Sequence, residues 1–280
     1  MKIKFTKVHG IGNDFIIIDD RKKNIKQSYF FLAKKLCSRK FGIGADGVIL
    51  ISNAKKHDIG FKIFNSDGSQ SQMCGNGMRC FAKHLYEKKI IFKKKIRVKT
   101  KAGTIVCELI IKNNEVTAVK VDMGKPILEC KKIPFKSKNK KAIKEKIIVG
   151  NKEHIITMVS MGNPHAVVFV DDLDKINVKR LGQAIENHKR FPEKTNVEFV
   201  KIINKSKIKM KVWERGAGIT LACGTGACAA LVAFALTYKT SNKAIVSLDG
   251  GDLEIFWDKK TNHVFKTGPA KIVFEGVINT

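Results

Sequence analysis

Arginine is scarce in this sequence of 280 residues, which has seven arginines beside 47 lysines and a net charge of +29. Nucleic-acid recognition favours the bidentate and stacking contacts of arginine, and no basic motif here alternates with aromatic residues. We therefore interpret the excess charge as a solvated lysine surface and expect no nucleic-acid partner. A basic nucleic-acid-binding protein with idle thiols is the alternative from a different functional class.

Long apolar runs are also missing. No stretch approaches about 18 apolar residues, and the opening "MKIKFTKVHG" has lysines without the apolar segment of a signal peptide. A content of 44% hydrophobic and 28% charged residues is typical of a globular protein. The sequence therefore predicts a cytoplasmic protein without a membrane partner.

The seven cysteines include no Cys-x-x-Cys pair. An odd number of cysteines in a cytoplasmic chain favours free thiols. The spacing of Cys74 with Cys80, and of Cys223 with Cys228, does not match a zinc site, and no histidine pair follows at ligand spacing. We predict no metal site, and we interpret Cys80 and Cys228 as packing residues.

One motif is present twice. "QMCGNGMRCFA" contains Cys74 and "LACGTGACAAL" contains Cys223, and each places a cysteine before a Gly-x-Gly step and an apolar segment. Glycines allow a sharp turn; the apolar residues behind Cys74 follow helical spacing, and the segment behind Cys223 is apolar on all sides, as in a buried helix. Because a helix N-terminus favours negative charge, this position is expected to lower a thiol pKa from about 8.5 towards neutrality.

The rest of the chain repeats at the same spacing of 149 to 150 positions. "GIGN" ends at Asn13 and "SMGN" at Asn163, and each leads into an apolar strand that closes with acids. Amphipathic stretches that continue to Phe41 and Phe191 follow the candidate helix N-caps Ser28 and Asn177. This order favours an internal duplication. The lysine-rich segment at 131–146 is interpreted as a surface excursion.

Two similar halves usually pack around a pseudo-twofold axis, which predicts one thiol on each side of a cleft. Two opposed thiols can invert a carbon centre, since a thiolate removes a proton from one face and a thiol returns one to the other. Thiol redox chemistry is the competing use of facing cysteines, but it usually relies on close sequence pairs.

Five ordered blocks together resemble diaminopimelate epimerase. They are "HGIGNDF", "FNSDGSQSQMCGNGMRCFA", "SMGNPHAV", "RFPEKTNVEF" and "ERGAGITLACGTGACAA". The resemblance implies a cofactor-independent isomerase that interconverts L,L- and meso-diaminopimelate on the route to lysine and peptidoglycan precursors. It also implies a homodimer.

The fold implied by the resemblance is α/β, with two pseudo-symmetric domains. Each would be a curled, mostly antiparallel sheet or barrel around a central helix, with the active site in the cleft between them. We predict that the first domain comprises residues 1–122 and 269–280, and that the second comprises residues 123–268.

The resemblance also implies the roles of individual residues. Cys74 and Cys223 would be the catalytic bases, while His165 and Glu214 would tune the thiols. The implied substrate contacts are Asn13, Asn65, Gly75, Asn76, Asn163, Asn196, Glu214, Arg215, Gly224 and Thr225. Arginine can clamp a carboxylate bidentately, and amide side chains can accept from an ammonium group. The family often has glutamine where this chain has Gly47, so that one side-chain contact is expected to be missing or replaced by water.

Other interpretations stay open for single residues and for the substrate. The asparagines Asn13, Asn163 and Asn196 have the residue type of turns, and His165 that of a structural histidine. Proline racemase and hydroxyproline epimerase also use two cysteines in similar turns. Their first motif typically has histidine where this chain has Asn76, and a cyclic substrate lacks a distal carboxylate and ammonium.

Overall fold

The computed structural model describes residues 2–238 and 241–279. Its α-helices are α1 (Tyr29–Cys37), α2 (Gly75–Glu87), α3 (Val178–Glu186) and α4 (Gly224–Tyr238), with a short 3-10 helix at Cys130–Lys132. Its strands are β1 (Lys2–Gly10), β2 (Asn13–Asp19), β3 (Gly47–Ser52), β4 (Ile59–Asn65), β5 (Gln70–Ser71), β6 (Lys95–Thr100), β7 (Gly103–Lys112), β8 (Glu115–Asp122), β9 (Glu145–Val149), β10 (Lys152–Ser160), β11 (Pro164–Phe169), β12 (Asn196–Asn204), β13 (Lys207–Glu214), β14 (Gly218–Ile219), β15 (Lys243–Leu248), β16 (Gly251–Trp257), β17 (Val264–Gly268) and β18 (Lys271–Asn279). Among these residues, no helix is both long and apolar enough to cross a membrane.

The chain divides into two compact units. Unit 1 extends to Asp122 and takes in the C-terminal segment from Thr267, and unit 2 is Met123–Lys266. Both contain α-helices and strands, which confirms the α/β class expected from the sequence. The division into two domains at the predicted boundaries stays a prediction.

Unit 1 is a sheet curled around α2. Its strand order is β18-β1-β2-β3-β4-β6-β7-β8; β2 with β3 and β4 with β6 are parallel, and the other neighbours are antiparallel. Helix α2 packs against β1, β2, β7, β8 and β18, and its side chains Met78, Phe81 and Leu85 are fully buried. This apolar stripe at helical spacing is why the sequence predicts a central helix. The sheet curls without closing into a barrel.

Unit 2 repeats this arrangement around α4. Its strand order is β9-β10-β11-β12-β13-β15-β16, and β11 with β12 and β13 with β15 are the parallel pairs. Each element from β10 to β17 begins between 148 and 151 positions after its counterpart in unit 1. The ten residues Gly224, Gly226–Phe234 are buried, as expected for a helix that is apolar on all sides. The duplicated motifs therefore start the central helices of two similar units.

Two local predictions from the sequence are wrong. Helix α1 ends at Cys37, and Phe41 beyond it is 90% exposed, so that residue is not part of an apolar helix face. The segment at 131–146 is not a simple surface excursion, because Ile133, Phe135 and Ala142 are buried in the core of unit 2. The frequent lysines mask a few apolar residues that are buried, although Ile143 in the same segment is exposed.

Candidate active site

The first cysteine turn lies where α2 begins in unit 1. Cys74 is the N-cap residue with an extended backbone, and its Sγ accepts a hydrogen bond from the Gly77 N–H at 3.4 Å. Gly75 is the first helical residue, and Cys74 itself is half-buried. A thiol in this position can accept hydrogen bonds from the N–H groups of the first helical turn, which have no partner within the helix.

Two predicted substrate asparagines lie against this thiol. Asn13 Oδ1 is 3.8 Å from Cys74 Sγ, and it accepts from Asn76 Nδ2 at 3.2 Å. The other end of the Asn13 amide donates to Asp46 Oδ2 at 2.6 Å. Because a carboxylate only accepts, Asp46 fixes which end of Asn13 faces the thiol. Sequence reasoning missed Asp46, although it follows the Gly-rich turn of "GIGAD".

Asn65 makes no hydrogen bond with Cys74, Asn13 or Asn76. Its amide is engaged within its own turn, donating to Ser69 Oγ at 3.0 Å and accepting from Ser71 Oγ at 2.9 Å. Its role as a substrate contact stays a prediction.

The second cysteine turn lies where α4 begins in unit 2. Cys223 Sγ accepts from the Gly226 N–H at 3.3 Å and lies 3.6 Å from the Thr225 hydroxyl. Gly224 is the first residue of α4, so both turns share one construction. Unlike Cys74, Cys223 is buried, with 3% of its surface exposed.

The expectation of a lowered thiol pKa is wrong for Cys223. Burial raises its pKa well above the ordinary value, and the Glu214 and Glu198 carboxyl groups raise it further. The Thr225 hydroxyl and the Gly226 N–H oppose this rise but are the smaller effects. Desolvation disfavours the charged thiolate more than the helix N-terminus favours it. Cys223 is therefore a protonated thiol at neutral pH.

A buried pair lies beneath the second turn. His165 Nδ1 is 2.7 Å from Glu198 Oε1, and His165 Nε2 is 3.1 Å from Asn163 Oδ1. Both members of the pair are fully buried. Burial raises the pKa of Glu198, and His165 acts against this rise. Sequence reasoning named Asn163 and His165 but missed Glu198, whose signal is a single acid inside the apolar run "VEFV".

The remaining predicted residues surround the turn after β13. Asn196 is buried; its Nδ2 donates to the Pro164 carbonyl at 2.7 Å, and its Oδ1 accepts from the Arg215 N–H at 3.0 Å. The exposed Arg215 donates from Nη1 to the Glu193 carbonyl at 2.9 Å, and the Thr220 hydroxyl donates to Glu214. Asn196 therefore holds the backbone that presents Arg215.

Comparison with known proteins decides the family. The sequence model of the diaminopimelate epimerase family matches residues 5–129 and 157–273. A relative from Desulforapulum autotrophicum, named diaminopimelate epimerase, is 56% identical over 99% of both chains. Another relative of that name, from Methanococcus maripaludis, is 47% identical over 99% of this chain and 100% of its own length. The chain belongs to the diaminopimelate epimerase family.

Solved structures show the same fold at low identity. A phenazine biosynthesis protein of the PhzF family from Bacillus anthracis aligns with a TM-score of 0.74 at 17% identity, covering 100% of both chains. A hydroxyproline epimerase from Agrobacterium vitis aligns with a TM-score of 0.69 at 15% identity, covering 99% of this chain and 91% of its own. Membership of the epimerase family confirms the resemblance seen in the sequence blocks.

The glutamine that the resemblance leads us to expect in place of Gly47 would have no space here. A Cβ built on Gly47 would lie 2.7 Å from the Phe64 carbonyl oxygen, a backbone atom of the neighbouring strand. We expect Gly47→Gln to lower the free energy of unfolding by about 1–3 kcal/mol, because the two strands must separate. Chemical denaturation measures this change. An unchanged midpoint would show that the strands adjust without cost.

A buried acid supports the turn that carries Arg215. Glu186 at the end of α3 accepts from Trp213 Nε1 at 2.7 Å and from the Gly216 N–H at 3.2 Å. A glutamine has one acceptor oxygen, so Glu186→Gln must lose one of these bonds. We expect KM for diaminopimelate to rise roughly tenfold with a smaller change in kcat, because we predict that Arg215 on this turn binds a substrate carboxylate.

The control for that experiment is Glu254→Gln, which removes a surface acid paired with Lys243 at 2.9 Å. An exposed ion pair contributes little, so KM is expected to stay unchanged. Equal KM values for Glu186→Gln and the wild type would contradict a supporting role for Glu186.

Within residues 2–238 and 241–279, no group of three or more His, Cys, Asp or Glu side chains is arranged to hold a metal ion.

Proposed function

We propose that this protein interconverts L,L- and meso-diaminopimelate by proton transfer at one α-carbon, without a cofactor. The observation that carries the proposal is the repeated turn, in which the cysteine before each central helix accepts a hydrogen bond from a backbone N–H. The family of the chain supplies the substrate class. Each unit thus contributes one thiol at the start of its central helix.

The reaction needs one thiolate and one thiol. The thiolate removes the α-proton from one face, and the thiol gives its proton to the other face, so the charges on the two sulfurs exchange. This requires Cys74 and Cys223 to reach opposite faces of the same α-carbon, which is part of the proposal. The N–H groups at the helix starts would hold the adjacent carboxylate and stabilise the developing negative charge.

The polar residues suit a substrate with two amino-acid ends. Arg215 is exposed on its turn and can form a bidentate pair with a carboxylate. Asn13 presents its amide beside Cys74, Asn163 lies against His165, and both amides can contact ammonium or carboxylate groups. We assign Asn196 to holding the Arg215 turn, since both ends of its amide bond to the backbone.

We further propose that the protein acts in the cytoplasm as a homodimer in the formation of lysine and peptidoglycan precursors. Family membership supports these assignments.

The test is incubation of the reduced protein with L,L-diaminopimelate, with L-proline in parallel, followed by chiral chromatography. The proposal predicts formation of the meso isomer, and it predicts that activity survives removal of pyridoxal phosphate and chelation of metals. Turnover of proline alone would assign the protein to proline racemisation. No turnover of either compound by folded, reduced protein would contradict the proposal.

A further inference from the structure

The two cysteine turns also differ in the residues that lie beneath them. Gly77 in the first turn and Gly226 in the second occupy the same place, three residues after the cysteine. The three atoms nearest to a Cβ on Gly77 would all be apolar, namely Ile49 Cδ1 at 3.1 Å, Ile63 Cδ1 at 3.5 Å and Phe15 Cζ at 3.5 Å. The first turn therefore rests on an apolar floor, defined as Phe15, Ile49 and Ile63.

The second turn rests on an ionisable floor, defined as Glu198 and its partner His165. A Cβ on Gly226 would lie 2.7 Å from Glu198 Oε1 and 3.1 Å from Cys223 Sγ, so that the acid and the thiol flank the same glycine. Glu198 occupies the position of Ile49, because both are third in their strands and pair with the matching residues Val212 and Ile63.

A buried acid needs a reason to be present. Glu198 is fully buried, and its Oε2 has no hydrogen-bond partner among the described residues. An isoleucine fits the same scaffold in unit 1, and a buried carboxyl group is costly unless it is fully paired. Packing therefore does not explain Glu198.

The contact of Glu198 with His165 is a proton-sharing contact. A distance of 2.7 Å between Nδ1 and Oε1 needs one proton between the two atoms. His165 is in the position of Phe15, at the matching place in the strand that leads out of the repeated asparagine turn. Unit 2 thus has a histidine and an acid where unit 1 has two apolar side chains.

We propose that Glu198, held by His165, is a positioning residue that keeps Cys223 in its protonated, proton-donating form in the unliganded protein. The inference deepens the proposed function and rests on it for the link to catalysis. Besides burial, which is the largest cause, the pKa of Cys223 is raised by Glu214 on β13 and then by Glu198 on β12, while His165 on β11 acts on Glu198. In the reverse direction, bound substrate must overcome this bias before Cys223 can act as the base.

The experiment is a thiolate titration that isolates one cysteine. The ultraviolet absorbance of thiolate is followed from neutral to alkaline pH in the wild type and in Cys223→Ser, and the difference gives the titration of Cys223. The same pair of measurements is made in the Glu198→Gln background. We expect Glu198→Gln to lower the pKa of Cys223 by about one unit, which is roughly tenfold more thiolate at a given pH.

Two further variants separate charge from packing. The double variant His165→Phe with Glu198→Ile builds the floor of unit 1 into unit 2 and is expected to lower the pKa of Cys223 in the same direction. Glu145→Gln removes a different part-buried acid of unit 2, which pairs with Arg190, and is expected to leave that titration unchanged. A merely structural role of Glu198 would change stability without moving the titration.

Each outcome decides the inference. An unchanged Cys223 titration in folded Glu198→Gln, or in the folded double variant, would overturn it. If neither variant folds, a wild-type Cys223 that titrates at or below the ordinary value of a thiol, about 8.5, would overturn it as well. The titration needs no turnover, so it stands or fails independently of activity on diaminopimelate.

Discussion

Replacing either Cys74 or Cys223 by alanine is expected to lower the rate of epimerisation by at least roughly a thousandfold. Each thiol is one of two proton-transfer groups, and a positioned acid or base contributes about 10²- to 10⁴-fold. With one thiol removed, no group delivers the proton to the vacated face. Conversion of L,L- to meso-diaminopimelate measured by chiral chromatography tests this expectation.

Exchange without inversion provides the internal control. Each single variant keeps one base, which can remove an α-proton and return a solvent proton to the same face. We therefore expect Cys74→Ala and Cys223→Ala to exchange α-hydrogen with solvent in opposite isomers. Inversion at near wild-type rate in either variant would contradict the two-base mechanism. Cys80→Ala, in which a buried packing residue of α2 is changed, controls for loss of a thiol as such.

Gly226→Ala is expected to lower kcat by about a hundredfold, with a much smaller change in KM. The added methyl group would lie 2.7 Å from Glu198 Oε1 and 3.1 Å from Cys223 Sγ, so the thiol or the acid must move. Misplacement of a reacting group by about 1 Å costs on the order of 10²-fold. Steady-state kinetics on diaminopimelate measure the change.

Gly77→Ala is the matched variant in unit 1. Its methyl group would approach flexible apolar ends, the nearest being Ile49 Cδ1 at 3.1 Å, which can yield by small rotations. We expect its kcat to fall less than about tenfold, since a one-methyl overpacking of this kind is partly absorbed. Equal losses in the two variants would show that the ionisable floor does not constrain Cys223 more tightly than the apolar floor constrains Cys74.

Much of the fold follows from sequence patterns that are local. The apolar spacing behind Cys74 and the continuous apolar segment behind Cys223 predict the two central helices, and both are buried in the structure. The shift of about 149 positions predicts the repeat, because related halves keep the order and spacing of their elements. Both signals depend on periodicity and order alone.

Other features depend on contacts that sequence patterns do not contain. The lysine-rich segment at 131–146 anchors itself through only a few apolar residues, including Ile133 and Phe135, among many charged neighbours. Phe41 lies beyond the helix end and is exposed, although its residue type predicts burial. In both cases the tertiary path of the chain, and not residue type, decides which side chains are buried.

The site shows the same division. The cysteine turns and their glycines are visible in the sequence because the motif is repeated. Asp46, which orients Asn13, and Glu198, which pairs with His165, are distant in sequence from these partners. They become apparent only through hydrogen bonds. The pKa of Cys223 could not be predicted from its helix start, because burial and two carboxyl groups outweigh that position.

The most direct test of the two-thiol account is the early time course in D2O. Reduced protein is incubated with L,L-diaminopimelate, and the isomers are separated and analysed by mass spectrometry at low conversion. The account predicts one deuterium in each molecule of meso product, because the returned proton comes from a second, solvent-exchanged thiol, while the remaining substrate stays unlabelled. Meso product that retains the substrate α-hydrogen would show a single base serving both faces and would contradict the account.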